Sequence, residues 1–134
     1  MGLIVDTSVF IRCERGQAKL DFSKWEHLGS AAISVVTASE LLVGVHRADT
    51  TVRRDRRSEF VEAILSQIPI LDFTLDIARL HAELFAHAAR RGQMIGAHDL
   101  MIAATAKHYD YALLTANATD FGRVRDLNVI SLPS

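Results

Sequence analysis

The chain has 134 residues, 49% of them hydrophobic and 23% charged, with a formal net charge of −1 at pH 7. Residues 1–134 therefore suit one globular domain with a proper core, and the charge balance excludes a protein that holds nucleic acid by overall positive charge alone. The single cysteine, Cys13, rules out an internal disulfide, no apolar run approaches the roughly 20 residues of a membrane span, and Asp6 interrupts what would be the apolar part of a secretory leader, so a cytoplasmic setting is expected.

The apolar run Leu3-Ile4-Val5 reads as a strand buried on both faces. It stops at Asp6, and Thr7-Ser8 then open a short helix running to about Glu14, ended by Gly16. Asp21 to His27 reads as a helical turn carrying Trp25 and closed by Gly29. Ala31–Val36 is apolar and rich in β-branched residues, which predicts a second strand. Thr37 would cap the next helix, in which Ala38, Leu41, Leu42 and Val45 fall at helical spacing. Ala48–Thr51 is a turn, and a helix over Val52–Gln67 follows, with Val61, Ile64, Leu65 and Ile68 toward the core.

Pro69–Phe73 predicts a third strand, with proline tolerable at its first position. Thr74 caps a long helix whose Ile77, Leu80, His81, Leu84, Phe85 and Ala88 form one stripe, closed by Gly92. Gly96–Asp99 leads into a helix from Leu100 to about His108. Tyr111–Thr115 and Asn128–Leu132 are the fourth and fifth strands. This alternation of strands and helices implies an α/β fold, a mostly parallel sheet of about five strands flanked by helices on both faces.

Four carboxylates stand out on that skeleton. Asp6 ends the first strand, Glu40 lies in the first turn after the second, Asp99 opens the helix before the fourth, and Asp120 follows the fourth, with Thr115 and Asn117 beside it. The C-terminal ends of parallel strands are where such sheets bind ligands. Each acid also has a simpler reading. Thr37-x-x-Glu40 fits a capping box, Asp99 a helix N-cap, and Asp120 an Asx-turn. Asp6 resists that treatment, because a carboxylate directly after a buried strand costs stability. Convergence of all four would be electrostatically expensive, since two carboxylates about 4 Å apart repel by roughly 4 kcal/mol at an effective dielectric of about 20. Such a cluster raises its pKa values or takes up a cation. An all-oxygen donor set favours Mg²⁺, with Mn²⁺ as the alternative, and suits phosphate chemistry with a metal-activated water.

Val5-Asp6-Thr7-Ser8, Thr37-x-Ser39-Glu40-Leu41, Gly96-Ala97-His98-Asp99-Leu100-Met101-Ile102-Ala103-Ala104-Thr105-Ala106 and Leu114-Thr115-Ala116-Asn117-x-x-Asp120-Phe121 together resemble the PIN domain, and more narrowly the VapC-type toxin ribonucleases. Each motif alone is weak; all four in order, across essentially the whole chain, are specific. The resemblance implies a metal-dependent endoribonuclease leaving a 5′-phosphate, the toxin of a toxin–antitoxin pair. Asp6, Glu40 and Asp99 would hold one or two Mg²⁺ or Mn²⁺ ions, and Asp120 would match the more variable fourth position. Ser8 and Thr115 would support them by hydrogen bonds, and Asn117 would lie near metal or phosphate. RNA, a cognate antitoxin docking on the helices Thr37–Arg47 and Val52–Gln67, and a second copy in a homodimer are the implied partners. A PIN fold kept only for protein binding is the alternative.

Arg53, Arg54, Arg56 and Arg57 read first as a solvated helix face and second as phosphate contacts. His81, Met94, Met101, Trp25 and Cys13 read as packed residues, and His98 as packing or capping beside Asp99. A haloacid-dehalogenase-like phosphatase would need an Asp two residues after Asp6, where Ser8 stands. A receiver-like module would need a lysine after the fourth strand, and the sequence there offers none.

Overall fold

The Leu3–Val5 triplet is the central strand, β1, of a five-stranded sheet in the computed structural model, which describes residues 1–19 and 21–133. Its neighbours are β2 (Ala31–Ser34) and β4 (Ala112–Thr115), with β3 (Ile70–Leu71) and β5 (Val129–Ser131) at the edges, in the order β3-β2-β1-β4-β5. Every pairing is parallel, which goes beyond the mostly parallel expectation. Parallel neighbours need crossovers, and the helices α1 (Thr7–Glu14), α2 (Val35–His46), α3 (Thr51–Gln67), α4 (Leu75–Arg90) and α5 (Ala97–Tyr109) supply them. Ser23–Leu28 is a 3₁₀ segment, and α6 (Ala118–Phe121) is a single turn after β4.

The chain runs outward from β1 to β3, then returns to place β4 on the other side of β1. A switch of direction between two adjacent parallel strands opens a crevice beyond their C-terminal ends. Asp6 follows β1 and Ala116-Asn117 follow β4, so the two segments meet at that crevice. The Asp6 N–H donates to Leu114 O at 2.9 Å, which joins the two strand ends directly.

Strand alternation divides the core. Leu3, Val5, Ile33, Ala112 and Leu114 face α1, α2 and α3, where they pack with Val9, Phe10, Leu41, Val45, Val61 and Ile64. Ile4, Ala32 and Leu113 face the other way, against Leu100, Ile102, Ala103 and Ala106 of α5 and against Phe121 and Val124. The sheet is thus covered on both faces, as continuous apolar strands require.

Several boundaries differ from the sequence reading. The second strand ends at Ser34 rather than Val36, and Ser34, not Thr37, caps α2, its hydroxyl accepting from Val36 N at 3.0 Å. The β-branched pair Val35-Val36 is helical because a cap and tertiary packing outweigh strand preference. The third strand is only Ile70–Leu71, since this edge position has a single neighbour, β2, to pair with. α5 starts at Ala97 behind Gly96, so Asp99 is a first-turn residue and not the cap. Phe85 leaves the buried stripe of α4 and is 60% exposed, and Met94 is not packed but 84% exposed.

Burial separates two phenylalanines sharply, Phe10 at 0% and Phe85 at 60% exposure. Phe10→Ala should cost about 3–5 kcal/mol in urea unfolding, as a fully buried aromatic does. Phe85→Ala should cost less than about 1 kcal/mol. Equal losses would contradict this division of the core.

Candidate active site

The crevice beyond β1 and β4 collects hydroxyls before it collects charge. Asp6 is only 3% exposed, a position that would be costly for an unpartnered carboxylate. Its Oδ2 accepts from Ser8 Oγ at 2.6 Å and from Thr115 Oγ1 at 2.9 Å. Ser8 Oγ in turn accepts from Ala116 N at 3.0 Å, and Thr115 Oγ1 from Asn117 N at 2.9 Å. Each hydroxyl gives its single proton to the carboxylate and takes a main-chain N–H behind it, so the donor of each is committed to Asp6. Burial pushes the Asp6 carboxyl up from its ordinary range; the Ser8 and Thr115 bonds and the Thr7 N–H oppose that, and the Glu40 charge adds to it.

Glu40 stands on α2 and meets Asp6 through α1. Thr7 Oγ1 donates to Glu40 Oε1 at 2.7 Å and lies 3.1 Å from Thr37 Oγ1. The expected capping box is absent: Thr37 lies inside the helix, and Glu40 is bound by a residue 33 positions away. The other Glu40 oxygen, Oε2, is 3.4 Å from His98 Nδ1. His98 is therefore neither packed nor a cap; its side chain is 59% exposed and lines a shallow depression with Glu40, Gly96, Ala97 and Asp99.

Asp99 lies in the first turn of α5. Burial first, and then the charges of Asp6, Glu40 and Asp120, push its carboxyl from 3.8 up to about 6, with His98 acting against them. The other three sequence-selected acids thus act on the carboxyl of the fourth. Asp120 is not in a loop but in α6, the helical turn whose N-cap is Asn117. Asn117 Nδ2 donates to Asp120 Oδ2 at 2.8 Å, and Arg123 Nη1 is 3.6 Å from Asp120 Oδ1. Asn117 therefore serves Asp120 directly.

The donor set suits a hard divalent cation, being carboxylate oxygen throughout. Among the described residues, no three His, Cys, Asp or Glu side chains already stand at enclosing distance. The mismatch between formal charge and available donors is what a cation would relieve.

The sequence reads Thr7 and Thr37 only as helix starters, and the contacts of Thr7 with Glu40 and with Thr37 escape it. A buried hydroxyl beside a strand-ending carboxylate is the signal that was available. The arginine cluster divides: Arg53 Nη1 reaches both Asp49 oxygens at 2.9 Å, while Arg57 binds Glu14 Oε1 at 2.9 Å and Gly44 O at 2.8 Å. Arg57 is thus a clamp between α1, α2 and α3, whereas Arg53, Arg56 and Arg57 line a cleft with Cys13, Glu14 and Phe60.

A family model for the PIN domain matches residues 3–127. Ribonuclease VapC1 of Rickettsia felis is 39% identical over 134 residues, covering 100% of this chain and 98% of the relative. The crystal structure of the VapBC-5 toxin–antitoxin member from Mycobacterium tuberculosis superposes with a TM-score of 0.77 at 33% identity, over 99% of this chain and 98% of that one. That of VapBC2 from Rickettsia felis, bound to a promoter DNA fragment, gives a TM-score of 0.88 at 24% identity over 99% and 100%, a likeness of fold.

The raised Asp99 carboxyl makes a prediction about pH. The folded state binds this proton more tightly than the unfolded chain, so stability should fall as pH rises from about 4 to about 6. Asp99→Asn removes that cost. Without divalent metal at pH 7.5 the variant should be more stable by on the order of 1 kcal/mol, after discounting for partial exposure, or a few degrees in Tm. The two proteins should converge near pH 4 in thermal melts. A variant less stable at pH 7.5 would show that Asp99 is not under electrostatic stress.

Proposed function

The chain belongs to the PIN-domain family, and on that premise we propose that it is a divalent-metal-dependent endoribonuclease, the toxin of a toxin–antitoxin pair. The observation that carries the reading is the shared field of Asp6, Glu40, Asp99 and Asp120 at the crevice between β1 and β4. Full-length similarity to a ribonuclease and superposition on toxin–antitoxin complexes support it. Asp6, Glu40 and Asp99 are the proposed ligands of Mg²⁺ or Mn²⁺, with Asp120 completing the set. When bound, such a cation supplies Lewis-acid polarisation of a phosphoryl oxygen and lowers the pKa of water.

The protein's own groups set the rest. Ser8 and Thr115 fix Asp6 at its Oδ2, Thr7 fixes Glu40 at its Oε1, and Asn117 orients Asp120. Ser8 and Thr7 are taken up in holding the proposed ligands Asp6 and Glu40, and burial pushes the Cys13 thiol up, which keeps it protonated, so none of the three is proposed as the nucleophile. Water is the proposed nucleophile: its oxygen bonds to phosphorus as the P–O3′ bond breaks, giving one product with a 3′-hydroxyl and one with a 5′-phosphate. The N-termini of α1 and α5 open beside the acids and favour a substrate phosphate.

RNA is the proposed substrate and a cognate antitoxin the proposed inhibitor. The antitoxin would dock on α2 and α3, where Val35, Leu42, Val43 and Val52 are exposed. A separate groove between α1, α2 and α3 is lined by Ile11, Leu41, Val61 and Arg57 together with Thr7 and Glu40, so a segment lying in it would reach the acids. Among the described residues no helix is long and apolar enough to cross a membrane. The second reading, a catalytically idle protein-binding module, draws on the absence of a pre-assembled ligand trio among the described residues.

Cleavage of RNA by purified wild type, Asp6→Asn and Asp99→Asn, with Mg²⁺, Mn²⁺ or EDTA, separates the two. Metal-dependent cutting that leaves 5′-phosphates should drop by at least about 100-fold in either folded variant, since each removes a proposed ligand. Cutting that survives EDTA and both substitutions would overturn the assignment. Loss of Mn²⁺ binding together with activity on no RNA would favour the idle module.

A further inference from the structure

Thr7 follows Asp6 directly in the chain, and its hydroxyl donates to Glu40 Oε1 at 2.7 Å. The residue is 7% exposed, and Thr37, 3.1 Å behind it on α2, is 0% exposed. A hydroxyl has one proton, so it serves one acceptor at a time, and the shorter contact to a carboxylate oxygen is the stronger. The contact also bridges elements. Thr7 is the first residue of α1 and Glu40 lies on α2, and among the named contacts it is the one that ties the acid after β1 to the acid after β2.

We propose that Thr7 is a positioning residue that sets the divalent-cation affinity of the crevice by holding Glu40 Oε1 against α1, which leaves Oε2, 3.4 Å from His98 Nδ1, outside that tether. Glu40 is a long, half-buried side chain on α2, and without a tether it would spread over several rotamers. Donors behind a ligating carboxylate remove that freedom before the cation arrives. Thr37 is an alternative acceptor and wall for the Thr7 hydroxyl, not a second tether on Glu40. The inference rests on the reading of the carboxylates as a cation site, and adds a residue that does not itself face the crevice as a ligand.

Calorimetric titration of Mn²⁺ into metal-free wild type, Thr7→Val, Thr7→Ser, Thr37→Val and Glu40→Gln tests it, with circular dichroism to confirm folding. Thr7→Val should bind Mn²⁺ about 10-fold more weakly, Thr7→Ser within about threefold of wild type because the hydroxyl returns, and Thr37→Val likewise. Thr7→Ala replaces Thr7→Val if the latter does not fold. The Mn²⁺ concentration for half-maximal RNA cleavage should rise in step, with the KM for RNA unchanged. A merely structural defect would reduce the fraction of active protein and leave the Mn²⁺ affinity of that fraction alone. Wild-type affinity in Thr7→Val, with Glu40→Gln weakened, would overturn the inference while sparing the cation site. Absence of Mn²⁺ binding in wild type would overturn both.

Discussion

Repulsion between carboxylates is the constraint on which this structure turns. Four acids from separate elements share one field, and the carboxyl of Asp99 carries the strain as a proton affinity raised to about 6. A protein selected only for stability would place an apolar or amide residue at such a point. Here the cost is offset locally, chiefly by hydroxyls and an amide, with Arg123 near Asp120 alone. Ser8 and Thr115 serve Asp6, Thr7 serves Glu40, and Asn117 serves Asp120. Hydroxyls and amides hold a carboxylate in place without neutralising it, so the group keeps its charge and its orientation together.

The fold makes that arrangement possible with little chain. Reversal of strand order between β1 and β4 brings the residues after two buried strands side by side, and α1 and α5 begin on the same edge. Residues spaced over 100 positions apart become hydrogen-bond partners, Thr115 with Asp6 and Ala116 with Ser8. Two-sided burial of β1, through Leu3 and Val5 on one face and Ile4 on the other, fixes where Asp6 emerges. Arg57 adds a cross-link from α3 to Glu14 of α1 and Gly44 of α2, which braces the two helices that carry Thr7 and Glu40.

Much of this was legible in the sequence, for physical reasons. Uninterrupted apolar triplets signal buried parallel strands, and an acid directly after one has no structural excuse, so Asp6 stood out. The helical stripes located α2 to α5 to within a few residues. What the sequence hid was interaction at long range. Thr37-x-x-Glu40 has the form of a capping box, yet Ser34 takes the cap and Glu40 turns to Thr7 across 33 residues. Val35-Val36 carries strand preference but lies in a helix because Ser34 starts it sooner. His98 reads as a packing residue because a lone imidazole usually is one, yet it faces Glu40 Oε2. Phe85 and Met94 kept an apolar identity on exposed positions, which periodicity alone does not separate from a core face.

The central claim is that the crevice of Asp6, Glu40, Asp99 and Asp120 is a divalent-cation site. Anomalous diffraction at the manganese edge, from crystals grown with Mn²⁺, tests it most directly. The account predicts one or two peaks with oxygen ligands from Asp6, Glu40 and Asp99 at about 2.0–2.3 Å, the range for small oxygen-bound divalent ions. Manganese bound elsewhere on the protein, or an occupied crevice in which Glu40 points away from the ion, would contradict it.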